Sequence, residues 1–168
     1  MIARTYIERN LKVLTKSFNT APSTLLTVLY AKLVIVEVGG WIELSMDDLA
    51  KRAAKSLKET ANTKFRDNII KTNYGFDYDM NFRQMLMKMI GLVRVEALEK
   101  RLDVATHTKM KVALSNLKIV RNQVSHTYVK NISLGTISAP SLTYSYFLDV
   151  YNGLLDIEKN MKALRIIA

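Results

Sequence analysis

The sequence predicts an all-α protein, a single-domain helical bundle of about five to seven helices over residues 1–168. Three observations carry that prediction. Apolar residues recur at helical spacing in several runs, most clearly Met110, Ala113, Leu114, Leu117, Val120 and Val124. Hydrophobic residues make up 49% of the chain and only two residues are proline, so there is material for a packed core. No internal repeat, low-complexity stretch or linker divides the chain into a second domain.

The elements follow in order. Residues 4–18 read as a first helix, with Ile7, Leu11, Leu14 and Phe18 on one face and Arg9, Lys12 and Lys16 opposite. A loop at 19–23 carries Pro22 near the next helix start. Residues 24–44 are the most hydrophobic segment and are expected to form the buried central helix; the β-branched run Val34-Ile35-Val36 is the argument for a strand instead. Ser45-Met46-Asp47-Asp48 reads as a new helix start, continued by Leu49, Ala53 and Leu57. Residues 51–71 hold seven basic side chains against Glu59 and Asp67, the densest basic stretch in the chain and a candidate track for a phosphate backbone. Residues 72–79 are a turn-rich loop in which Tyr74, Phe76 and Tyr78 are candidates to stack on bases or to plug a core edge. Asn81 is the expected cap of a helix through Met89, ended by Gly91. Residues 93–104 form a short helix or an extended connector. A helix at 109–125, a loop at 127–139 and a last helix opened by Pro140 complete the chain.

Charge and composition narrow the function classes. The net charge of +10 favours an anionic partner such as nucleic acid. With no cysteine and only His107 and His126, thiolate and histidine-rich metal sites are excluded or disfavoured, so no cofactor and no metal are expected. The segment 25–41 contains Lys32 and Glu37 and is short for a bilayer span, and the N-terminus lacks a signal-peptide layout; the expected location is the cytoplasm. No P-loop, dinucleotide fingerprint, zinc pattern or nucleophile elbow is present.

The informative stretch is Arg121-Asn122-Gln123-Val124-Ser125-His126. Arg121 falls inside the apolar stripe of its helix, where a guanidinium needs a partner. His126 follows five residues on, about 140° around an ideal helix, so the two converge only if the helix ends or bends near Ser125 or a second subunit contributes. Histidine moves protons near neutral pH, and arginine binds phosphate and stabilises charge building on its oxygens. Together they suffice in principle to cleave RNA, whose 2′-hydroxyl is its own nucleophile. The spacing by itself also fits a basic helix end with a surface histidine. Glu37, with Lys32 one of two charges between Ala21 and Ile42, needs a partner if buried; Arg121 is the candidate, and rotation of Glu37 to the solvent edge is the other solution.

These features resemble the HEPN superfamily of all-helical domains, many of which cleave or bind RNA. The resemblance lies in the Arg-Asn-x-x-x-His form of residues 121–126 and in the hydrophobic second helix with an embedded acid. The segments 37–48, 73–76 and 137–141 are similar to those of small stand-alone bacterial members. It implies a metal-independent endoribonuclease, toxin-like or defence-related, with Arg121, His126, Asn122 and Glu37 as catalytic or supporting residues. Glu43 is the alternative acid. Lys111, Lys118 and Ser125 on the polar stripe, with Tyr128 beyond it, are the candidate RNA contacts. The resemblance further implies a homodimer with its site at the interface and an antitoxin or accessory protein as a possible partner. The alternative reading is a non-catalytic RNA-binding or adaptor module.

Overall fold

The longest apolar run of the sequence becomes the axis of the fold. In the computed structural model, which describes residues 1–125, 128 and 137–168, this run is part of one uninterrupted helix, α2 (Thr24–Ala53). Around it lie α1 (Thr5–Asn19), α3 (Thr60–Lys71), α4 (Arg83–Ile90), α5 (Leu92–Glu99), α6 (Val104–Ser125) and α7 (Pro140–Ala163). A π-helical turn, Tyr78–Phe82, leads into α4, and no strand occurs among the described residues. The protein is therefore all-α.

Helix α2 begins where Ser23 accepts a hydrogen bond from the Leu26 amide at 3.3 Å, an N-cap. Val34, Val38, Ile42, Met46 and Leu49 then carry one buried stripe along it. That stripe explains two departures from the sequence reading. The β-branched run is helical: Val34 and Ile35 are buried in the core on one side of α2, while Val36 is exposed on the other. No helix starts at Ser45, which is buried inside α2; continuous packing outweighs a local start signal. Helix α2 is the one described helix long and apolar enough to cross a membrane by length and composition. Its buried face is taken up by α1, α6 and α7.

The most extensive helix pairings are α6 on α7 and α1 on α2. Gly153 of α7 sets the first: a Cβ there would lie 2.5 Å from the Met110 Cβ of α6. Helix α6 begins five residues earlier than expected, with Asp103 accepting from the Thr106 amide at 2.8 Å. At one end of the bundle, the buried Glu158 of α7 takes Arg52 of α2 at 2.6 Å, the Ile2 amide at 3.0 Å and the Met1 amino group at 2.9 Å. Burial pushes the Glu158 carboxyl up, but these donors outweigh it and hold it at about 2.

The aromatic loop is organised by a residue given a different role in the sequence reading. Asp77, not Asn81, caps the π-helical turn, accepting from the Met80 amide at 2.9 Å. That bond, with Lys118, lowers its carboxyl below the usual range. Asn81 instead reaches back, accepting from the Asp77 amide at 3.1 Å and donating to the Tyr74 carbonyl at 2.9 Å and to Asn73 Oδ1 at 3.2 Å. Gly75 between them has φ +105°, and a Cβ there would lie 3.2 Å from Asn81 Oδ1. Asn81 thus ties together both sides of the turn around Gly75.

Candidate functional site

Two helix stripes meet under this loop. On α2, Gly39, Glu43 and Asp47 are spaced i, i+4, i+8 and share a face. On α6, Lys118, Arg121 and Asn122 are spaced i, i+3, i+4. Gly39 allows the approach: its missing Cβ would sit 3.5 Å from Arg121 Cγ and 3.4 Å from Phe76 Cε1. Between the stripes and the loop lies a cleft of about 490 Å³, lined by Glu43, Asp47, Lys118, Arg121 and Asn122 together with Lys71 and residues of the loop.

Arg121 donates from Nη2 to Glu43 Oε1 at 3.2 Å, with about a third of each side chain exposed (33% and 32%). That nitrogen is committed, Arg121 makes no other ion pair among the described residues, and its side chain lines the cleft. Asp47, one turn on, has its carboxyl raised by burial, with the neighbouring Glu43 carboxylate adding to the rise against the pull of Lys51. Three cations (Lys71, Lys118, Arg121) and two carboxylates (Glu43, Asp47) line the cleft, which leaves it weakly cationic and rich in hydrogen-bond donors.

The expected pair of Glu37 with Arg121 does not form within the chain. Glu37 lies six residues before Glu43, about 120° around α2 by helical geometry, and accepts instead from Asn10 Nδ2 of α1 at 3.2 Å. The acid beside Arg121 is Glu43. Asn122 is exposed and lines the cleft. His126 lies outside the described residues.

The candidate RNA contacts divide. Lys118 lines the cleft but is paired with Asp77 at 3.1 Å. Lys111, two turns earlier on the same stripe, pairs with Asp79 at 2.6 Å and lies over the Tyr78 ring at 5.5 Å, outside the cleft. The two lysines act as a clamp on the loop. Ser125 and Tyr128 are exposed and do not line the cleft. Of the three loop aromatics, Phe76 and Tyr78 are buried in the core, and Tyr74 alone stands free at 83% exposure. Burial and the nearby Glu99 carboxylate raise the Tyr78 phenol well above its ordinary range.

Asp47, Lys71, Asn73 and Asn81 are cleft residues that the sequence reading placed in other roles, Lys71 within the basic stretch 51–71, Asp47 in a helix start and Asn81 as a cap. The signal for Asp47 was present: it continues the stripe of Gly39 and Glu43 by one more turn. Nothing in the sequence placed Lys71 or Asn73 there, because that depends on how α3 turns back onto α2. No protein-family model, curated protein or solved structure matches the chain.

Proposed function

We propose that the chain is a HEPN-like, metal-independent endoribonuclease whose reacting centre is the Arg121 cleft. The observation that carries this reading is the half-committed guanidinium: Arg121 is held by Glu43 through one nitrogen, makes no other ion pair among the described residues and lines a cleft large enough for a nucleotide. In the proposed reaction a base removes the proton of an RNA 2′-hydroxyl, whose oxygen attacks the adjacent phosphorus. The bond to the 5′-oxygen breaks, that oxygen takes a proton, and the products are a 2′,3′-cyclic phosphate and a 5′-hydroxyl. His126 serves as the general base or acid. Arg121 binds the scissile phosphate and stabilises its developing charge, with Asn122 beside it as a second donor. Glu43 takes the orienting role that the sequence reading gave to Glu37.

The homodimer is part of this proposal. Leu25, Leu29, Leu33, Val36 and Leu44 form an exposed apolar ridge along α2, and Gly40 on the same ridge has open space where a Cβ would be. A second copy packed there would bury apolar surface that otherwise faces water. The paired substitution Leu29→Glu, Leu33→Glu is expected to shift the protein to a monomer in sedimentation velocity; a monomeric parent would overturn this part.

The test of the activity uses total RNA at low salt with chelator present. The parent protein is expected to cut it and His126→Ala is not, while DNA stays intact. Binding by both proteins with cutting by neither would replace the enzyme with an RNA-binding module.

A further inference from the structure

We infer that the Arg121 cleft is the mouth of a longer groove for single-stranded RNA, running over α3 and α4 to the far ends of α2, α5 and α7. The inference deepens the proposed function and rests on RNA being the ligand, not on cleavage. Four concavities follow one another along this path. The Arg121 cleft shares Asn73, Tyr74 and Asn81 with a second cleft of about 430 Å³. That cleft shares Ile69 and Lys88 with a third of about 280 Å³, between α3 and α4. The third ends at Leu57, next in the chain to Ser56 and Lys55, which line a fourth of about 660 Å³ with Arg94 and Arg165.

The chemistry of the path is that of a polyanion with exposed bases. No aspartate or glutamate side chain lines the second, third or fourth cleft. Among the described residues, Lys55, Lys88, Arg94 and Arg165 make no ion pair. Three further cations of the path are paired, Arg66 with Asp67, Arg52 with Glu158 and Asp48, and Lys118 with Asp77. Two large aromatics stand in the same path and are mostly exposed, Tyr74 at 83% and Phe65 at 61%. Free cations alternating with free rings suit phosphates alternating with unstacked bases. A duplex hides its base faces and has no use for the rings.

Arg165 supplies an independent observation. It sits just past α7 with φ +54°, the left-handed conformation that usually selects glycine. The Ile166 amide donates to the Met161 carbonyl at 2.8 Å and the Arg165 amide to the Lys162 carbonyl at 2.9 Å, the two bonds of a Schellman motif. The chain thus places an arginine, at a backbone cost, where glycine would cap the helix better, and that arginine lines the basic cleft.

The experiment measures binding of the parent protein to fluorescein-labelled oligouridine of about 16 nucleotides, roughly the upper site size of single-strand binders. Methylation of every 2′-hydroxyl keeps the strand from being cut. Tyr74→Ala and Phe65→Ala are each expected to weaken binding by roughly tenfold. Arg94→Ala and Arg165→Gly should each lower the slope of log affinity against log salt by about 0.7. Arg165→Gly should at the same time raise Tm by roughly 2–4 °C through relief of the backbone, a combination that a merely structural arginine would not give. A duplex of equal length should bind roughly tenfold more weakly than the single strand. Unchanged affinity in Phe65→Ala and Arg165→Gly, or tighter binding of the duplex, would overturn the groove. Cutting of unmodified RNA is read separately, so loss of the nuclease reading would leave the groove standing, and the reverse.

Discussion

Two arginine–glutamate pairs join α2 to other helices, and they are built to opposite ends. At one end of the bundle, Arg52 meets Glu158 at 2.6 Å with only 4% of the glutamate side chain exposed. Glu158 also takes a backbone amide and an amino group, so its lone pairs are filled. Nine residues back along α2, Arg121 meets Glu43 at a looser 3.2 Å, with each side chain a third exposed. The first pair is closed and has nothing left to offer a ligand. The second holds its guanidinium by one edge beside an open cleft. An ion pair that saturates its members builds the fold, and one that leaves donors unfilled beside a cavity is a place for chemistry.

The largest expected effect follows from the closed pair. Glu158→Ala leaves Arg52 with only the exposed Asp48 and takes the acceptor from the buried Ile2 amide, and should destabilise the protein by about 3–5 kcal/mol in chemical denaturation. Arg121→Ala should cost no more than about 1 kcal/mol, since its pair is partly exposed. Equal losses at the two sites would erase the distinction between them.

Next in size is the pH response. The Glu158 carboxyl is depressed from its ordinary 4.5 to about 2, which corresponds to about 3 kcal/mol. A depressed carboxyl contributes in full above its unfolded value, so this stability is present above pH 4.5 and lost as the pH falls toward 2. Thermal melts of the parent protein should show that loss, and Glu158→Gln should flatten it. A parent whose melting point does not move in this window would show that Glu158 is not held as described.

The open pair is sharpened by activity. In the proposed enzyme, Arg121→Ala should lower RNA cleavage by about 100-fold or more while its stability changes little. Glu43→Gln keeps a hydrogen bond to Arg121 and should give a smaller loss, read as rate on one defined RNA. A Glu43→Gln protein as inactive as Arg121→Ala would mean that Glu43 does more than hold the arginine.

How much of this was legible in the sequence depends on whether helical period alone could decide it. The stripes of α1 and α6 are period-3.6 patterns, and Ile7, Leu11, Met110, Leu114 and Leu117 are buried where the spacing put them. Arg121 inside an apolar stripe correctly marked a residue that needs an acid. What failed was competition between local and tertiary signals. Ser45 to Asp48 reads as a helix start, yet Ile42, Met46 and Leu49 carry the core straight through it. Asn81 has a cap's chemistry, but Asp77 lies at the position whose carboxylate reaches the free Met80 amide. Phe76 and Tyr78 look the same as Tyr74 in a loop; only the packing of Phe76 against Gly39 of α2 and of Tyr78 against His107 of α6 sends two inward and leaves one out.

The smallest effect is expected at Glu37, and it tests which face of α2 matters. From sequence, Glu37 and Glu43 were rival partners for Arg121, both acids in an apolar helix. The six residues between them turn the helix by about 600°, so the two carboxylates lie about 120° apart. Only one can face α6. Gly39 decides which, because it stands directly under Arg121 Cγ and Phe76, and Glu43 is the acid one turn beyond it. Glu37 is directed toward α1, where its one observed partner is Asn10 at an exposed rim. Glu37→Ala should therefore change stability by less than about 0.5 kcal/mol and leave cleavage at the parent rate. The double substitution Glu37→Ala, Arg121→Ala should match Arg121→Ala alone in denaturation and in activity, whereas Glu43→Ala with Arg121→Ala should lose less than the two singles added together. A marked non-additivity between Glu37 and Arg121 would mean that the two meet after all, across the interface of a dimer.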